Sequence, residues 1–129
     1  MYGKLEIFQM AQGLAIHASA RQSAIATNVA NADTPGYRAR DVTAFDQAYR
    51  QDNDGAQMRS TRGGHLGRVE SDTPFQIIDS PGPSSPNGNT VSIETEMMKA
   101  TEVRHHHEMA LSIYQTSLGI LRTSLGRGR

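Results

Sequence analysis

Apolar spacing constrains this chain more than any other feature. Of its 23 Leu, Ile, Val and Phe residues, seven fall in residues 1–29 and nine in residues 91–125. In both stretches the candidate inward positions recur every three or four residues. In the first, Phe8, Ala11, Ala15, Ala18, Gln22, Ile25, Val29 and Ala32 alternate by 3 and 4. In the second, Met97, Ala100, Arg104, His107, Leu111, Tyr114, Leu118, Leu121 and Leu125 do the same. That alternation predicts two helices, over about 4–32 and 92–125, each with a heptad-like packing stripe. Eight Ala between Ala11 and Ala32, with no Pro, favour the first helix and let a neighbour approach closely. Ser92 is a natural N-cap for the second, with Glu94 and Glu96 where the helix dipole favours anions. At 1.5 Å per residue they reach about 40 and 50 Å, long for a chain of this size.

The middle is built differently. Six Gly and four Pro lie in residues 51–90. Asp52-Asn53-Asp54-Gly55 and Ser80-Pro81-Gly82-Pro83-Ser84-Ser85-Pro86-Asn87-Gly88-Asn89 are loop chemistry. Residues from about 38 to 90 are expected to be extended or partly disordered, with Thr73–Ile78 as one short extended element. The fold class predicted is all-α: one domain of 129 residues, two long terminal helices paired as a hairpin or coiled coil, and an extended Gly/Pro-rich connection. The first helix is expected to stop at a turn over 33–37. There Pro35 restricts Thr34, and Gly36 supplies the positive φ of a type II turn.

Composition narrows the function. A chain of 129 residues without Trp, with three Phe and four Tyr, makes a thin core. That disfavours a compact enzyme and favours a subunit that completes its burial against others. Thirteen cations balance thirteen anions, which argues against nucleic acid and anionic membrane surfaces. The Arg/Gly stretch Arg59–Arg68 has no interleaved aromatic residue and stands alone, so no nucleic acid partner is assigned to it. With no Cys, disulfides and thiol chemistry are excluded. No apolar run is long enough to span a bilayer, and residues 1–6 do not open like a cleaved signal peptide. His105-His106-His107 fan around a helix, so they read as polar surface with His107 on the stripe and not as a metal site. No cofactor, no small-molecule substrate and no catalytic residues are expected.

One segment carries identity. Ala26-Thr27-Asn28-Val29-Ala30-Asn31-Ala32-Asp33-Thr34-Pro35-Gly36-Tyr37-Arg38-Ala39-Arg40-Asp41 resembles the signature of bacterial flagellar rod and hook axial proteins. The Ala-Asp-Thr-Pro-Gly-Tyr variant looks like that of a proximal rod subunit. Gly88-Asn89-Thr90-Val91 before an acidic helix start is a second point of likeness. In these terms Asn28 and Asn31 serve the last helical carbonyls or an adjacent subunit. Asp33, Thr34, Pro35 and Gly36 make the reversal and Tyr37 returns over the helix end, while Arg38, Arg40 and Asp41 supply directional charge. The assembly residues expected are Ile25, Val29, Met97, Leu111, Tyr114, Leu118, Leu121 and Leu125. Phe45 and Tyr49 resemble a short element by which early flagellar subunits dock on the export gate; read without that likeness, they pack a short helix on the terminal pair.

The resemblance implies a structural subunit of the periplasmic rod, exported by the flagellar type III apparatus without signal cleavage. Its implied partners are rod subunits of the FlgC and FlgF types and the ring–rod adaptor FliE, in a self-associating helical array. The alternatives are a FlgC-like rod subunit, whose usual C-terminal motif is missing from Glu108–Gln115, and a soluble type III cargo or adaptor. The free chain is expected to be loosely structured until it assembles.

Overall fold

A computed structural model describes residues 2–54, 75–80 and 82–126. Two long helices dominate, α1 (Tyr2–Ala30) and α3 (Ile93–Gly126). They run antiparallel: Asn28 of α1 meets Glu96 of α3, Arg21 meets Glu102, and Phe8 meets Tyr114 edge-on with ring centroids 5.4 Å apart. Their ends fall within a residue or two of the sequence expectation.

The reversal after α1 is local chemistry. Thr34 C=O accepts from the Tyr37 N–H at 3.3 Å across Pro35-Gly36, and Gly36 has φ 72°. That positive φ is cheap for glycine and costly for any residue with a Cβ. The chain then returns along α1 as β1 (Arg40–Val42) and turns into α2 (Phe45–Asp54). The first residue of α2 packs its ring on α1 at Gly13, where an added Cβ would stand 3.3 Å from the Phe45 ring.

A second strand, β2 (Ile77–Asp79), pairs antiparallel with β1, with Asp41 opposite Ile78. Residues 82–92 then run back over the end of α1. Gly36 N–H donates to Asn87 C=O at 3.0 Å, and Thr90 N–H donates to Tyr37 C=O at 3.0 Å. Ser92 begins α3 as an N-cap: its hydroxyl lies 3.5 Å from the Thr95 N–H and donates to Glu94 at 2.9 Å. The Glu94 carboxyl is held below its usual pKa by its own backbone N–H and by Ser92.

Three features correct the sequence expectation. The fold is mostly helical but not all-α, because β1 and β2 form a two-stranded sheet. Of the region expected to be extended or partly disordered, residues 45–54 are instead the helix α2, whereas β1 is extended, β2 overlaps the short extended element expected over Thr73–Ile78, and residues 82–90 form a hydrogen-bonded loop; residues 55–74, including the Arg59–Arg68 stretch, lie outside the described residues. Third, the stripe joining the helices within one chain is displaced. In the first half of α3 the inward positions are Glu96, Lys99, Val103, His106 and Ala110, one residue before the expected series, and Met97, Arg104, His107 and Leu111 are exposed, although Ala100 packs on the core; further on the expected series holds better, with Tyr114 against Phe8 and Leu118 and Leu121 half-buried. In α1, Ala11, Ala18 and Ile25 are buried as expected, but Gln22 and Val29 are exposed and Arg21 and Asn28 take the inward places. The stripe chosen is the small or polar one. Ala18, Ile25 and Val103 form a close contact that Leu111 or Met97 would hold apart, and the charged members have partners waiting for them.

Candidate functional site

The most highly constructed part of the molecule is the junction of α1's end, the turn, β1, the 82–92 loop and α3's start. Asn28 is fully buried there. Its amide nitrogen donates to Arg40 C=O at 2.7 Å and to Glu96 Oε2 at 3.1 Å. Its oxygen accepts from Arg40 N–H at 3.0 Å and from the Tyr37 hydroxyl at 3.2 Å. An asparagine amide has two donors and two acceptor lone pairs, so all four are used inside the chain. Within the chain Asn28 fills neither of the two roles read for it: its partners are Arg40, Glu96 and Tyr37, and not the last carbonyls of α1. Asn31 serves its own helix, donating to Thr27 C=O at 2.8 Å.

Asn89 completes the helix end. Its amide nitrogen reaches the carbonyls of Asn31 at 2.9 Å and of Ala32 and Thr34 at 2.8 Å, while its oxygen accepts from Val91 N–H at 2.8 Å. The last carbonyls of a helix need such partners. Sequence reasoning placed Asn89 in a motif but missed this role, because its acceptors lie 55 to 58 positions away.

Charge runs through the same junction. Glu96, only 2% exposed, lies 3.4 Å from Lys99 Nζ as well as on Asn28. Lys99 also reaches Asp41 at 3.4 Å and donates to Ser80 Oγ at 3.1 Å. Asp41 accepts from Arg21 Nε at 3.1 Å and from Val42 N–H at 2.8 Å, and Arg21 extends to Glu102 at 3.4 Å. Burial opposes the Asp41 charge, but the Val42 amide, Arg21 and Lys99 outweigh it and hold its pKa below 3.8. Burial likewise opposes the charge on Arg21, yet Asp41 and Glu102 raise its pKa. Each buried charge has a partner of opposite sign, which is the condition for tolerating it there.

The remaining motif residues join this junction through their backbones and leave their side chains outside it. Asp33, Thr34, Pro35 and Gly36 are exposed at the tip. Arg38 is exposed and lies 3.7 Å from the equally exposed Asp79. Arg40 is used through its backbone, not its charge. Phe45 and Tyr49 are half-buried, their rings 5.6 Å apart. Of the assembly residues, Ile25 is buried within the chain, Leu118 and Leu121 are half-buried, and Val29, Met97, Leu111, Tyr114 and Leu125 are exposed. Between α1 and α3 runs a groove of about 650 Å³ with Ala18, Ala100 and Val103 at its base and Gln22, Arg104 and His107 on its rim. Among the described residues, no three His, Cys, Asp or Glu side chains converge as metal ligands, and no helix is long and apolar enough to cross a membrane.

A long antiparallel helix pair, tied at one end by buried polar side chains and carrying exposed apolar residues along its length, defines a class: helical subunits that work by packing. The comparisons narrow the class. Residues 8–38 match the family described as flagella basal body rod protein. The chain is 33% identical over 111 residues to the flagellar basal body rod protein FlgB of Aeromonas hydrophila, covering 83% of this chain and 77% of that one. It is 28% identical over 116 residues to the FlgB of Agrobacterium fabrum, covering 87% of each. With the FlgB of Salmonella typhimurium the identity is 29% over 113 residues, 76% and 77% of the two chains. The chain belongs to the FlgB family of flagellar basal body rod proteins, and is a structural component of the flagellar basal body. The matched 8–38 segment contains Asn28 and the turn, so the family signature coincides with the polar junction.

Proposed function

We propose that this chain is a subunit of the proximal rod, where it joins other rod subunits of the FlgC and FlgF types and the ring–rod adaptor FliE in the periplasmic drive shaft. Its work is assembly, and torque passes through the contacts between subunits. One observation carries the reading. Val29, Met97, Leu111 and Leu125 stay exposed beside the α1–α3 contact, and Tyr114, although it meets Phe8, is also exposed. Exposed apolar surface of this kind marks contact with other chains. Contacts between unlike faces propagate as a helical array.

The whole chain is read as one rod-subunit domain that leaves the cytoplasm through the flagellar type III apparatus without signal cleavage. Phe45 and Tyr49 are the candidate export-gate element. A Phe45→Ala chain that still reaches the periplasm at the normal rate would remove that role.

The test of the rod reading is Leu111→Asp, tried also as Leu125→Asp. Each variant should express and fold normally, yet be missing from purified basal bodies and leave cells non-motile. Wild-type recovery in basal bodies with normal swimming would sink the assignment of these residues to rod assembly.

A further inference from the structure

His17 is buried, 3% exposed, on the face of α1 that receives the returning chain. Its Nε2 lies 2.7 Å from the Thr43 carbonyl oxygen. A carbonyl only accepts, so Nε2 carries the proton and donates. The ring meets Phe75 edge-on at 4.9 Å and Phe45 at 5.8 Å. Its other nitrogen, Nδ1, is buried with no hydrogen-bond partner. Three pieces of chain thus converge on one imidazole: the β1–α2 corner through Thr43, α2 through Phe45, and the start of the 75–80 segment through Phe75. Unpartnered buried polar atoms are uncommon and call for a reason.

We propose that His17 is an acid-operated latch: protonation of its buried Nδ1 frees the Thr43–Tyr49 segment from α1 while the α1–α3 pair stays closed.

A proton on Nδ1 would create a buried donor with no acceptor to receive it. The neighbouring charges do not compensate. Arg21 on the same helix and His106 from α3 oppose a positive ring, and only Asp41 from β1 favours it, already engaged with Arg21 and Lys99. From α2 the groups meeting the ring are aromatic. Burial, the largest influence, holds the docked imidazole below the ordinary value of 6.5. Once released, the ring regains an ordinary pKa and takes up the proton that the docked form refuses. Docking therefore weakens as pH falls below about 6.5, and levels off once the docked ring itself protonates. The α1–α3 junction does not share this trigger. Asp41, which ties β1 to Arg21 and Lys99 there, has its pKa held below 3.8.

The latch goes beyond rod assembly and does not depend on it. The experiment is amide hydrogen exchange on the full chain between about pH 7.5 and 5, corrected for intrinsic rates, in wild type and His17→Gln. Glutamine keeps an N–H donor for Thr43 but cannot take up charge. In wild type, peptides over 43–50 should lose protection by up to about tenfold per pH unit below 6.5, while peptides over 96–110 keep theirs. In His17→Gln the 43–50 peptides should be flat across the range. Unchanged wild-type protection, parallel loss in His17→Gln, or loss at 96–110 with the same midpoint would each overturn the latch. Should His17→Gln not fold, the wild-type ring is followed by NMR. The release midpoint must then track the His17 titration, and a ring that protonates without release refutes the proposal.

Discussion

The two ends of the α1–α3 pair are built on opposite plans. Where α1 ends and α3 begins, the interior is polar: Asn28, Asn89 and Glu96 are buried, and Arg21, Asp41 and Lys99 close around them. Where α1 begins and α3 ends, the surface is apolar: Leu5, Ile7, Met10, Ile120 and Leu125 are exposed. The usual distribution of a globular protein is inverted along the length of one helix pair. The polar end is finished within a single chain, since Asn28, Asn89 and Glu96 all find their partners inside it. The apolar end lacks whatever would cover it. The polar end fixes geometry in its interior, although Val29 and Met97 are exposed on its outside, and in the proposed rod the exposed apolar side chains are what neighbours would cover.

The comparison can be broken by attacking the polar end first. Asn28→Ala should produce the largest loss, about 3 kcal/mol in urea denaturation, because Arg40, Tyr37 and Glu96 all lose a buried partner at once. A loss below ~1 kcal/mol would show that water replaces the amide. Asp41→Asn should cost ~2 kcal/mol at neutral pH by leaving Arg21 and Lys99 without their shared anion. Asp41 is depressed in the folded chain. Its contribution is complete above 3.8 and is lost as pH falls through the folded pKa. Wild type and Asp41→Asn should therefore converge in stability under strong acid, which denaturation at a series of pH values would reveal.

Asn89→Ala should cost ~1.5 kcal/mol, with faster hydrogen exchange around residues 31–37, since three carbonyls lose their donor. Gly36→Ala forces a Cβ into φ 72° and should lower stability by ~1 kcal/mol. At the apolar end the expectation reverses. Leu125→Asp, at a side chain 79% exposed, should shift the stability of the isolated chain by less than ~0.5 kcal/mol. Its effect belongs to assembly. A large stability loss there would show that the two ends are not separable.

How much was legible in the sequence follows the range of the interactions. The Thr34–Tyr37 turn could be read directly, because proline and glycine impose it locally. The two helices could be read from alanine content and spacing. The inward stripe of α3 could not. Glu96 and Lys99 look like solvent-facing charges until Asn28, 68 positions away, and Asp41 are seen beside them. Apolarity alone then favours Met97 and Leu111 on the neighbouring stripe, and a step of one residue on a helix turns a side chain by about 100°. The β1–β2 pair was equally hidden, since three-residue strands carry little periodic signal and their register is set by where α1 holds Arg40. Family resemblance reached the right assignment without any of these contacts, because the signature marks the junction whatever its internal wiring.

The antiparallel pairing has a mechanical consequence. Because the beginning of α1 and the end of α3 lie side by side, a force that pulled those two ends apart would peel the helices open one rung at a time, starting where few polar links resist. The same pair loaded lengthwise, with α1 and α3 drawn past each other, would strain Asn28, Arg21, Lys99 and the alanine contacts together. In the proposed drive shaft, neighbours that gripped the apolar ends would make load enter as shear. The direction of pull, more than the number of contacts, sets how much one subunit can bear.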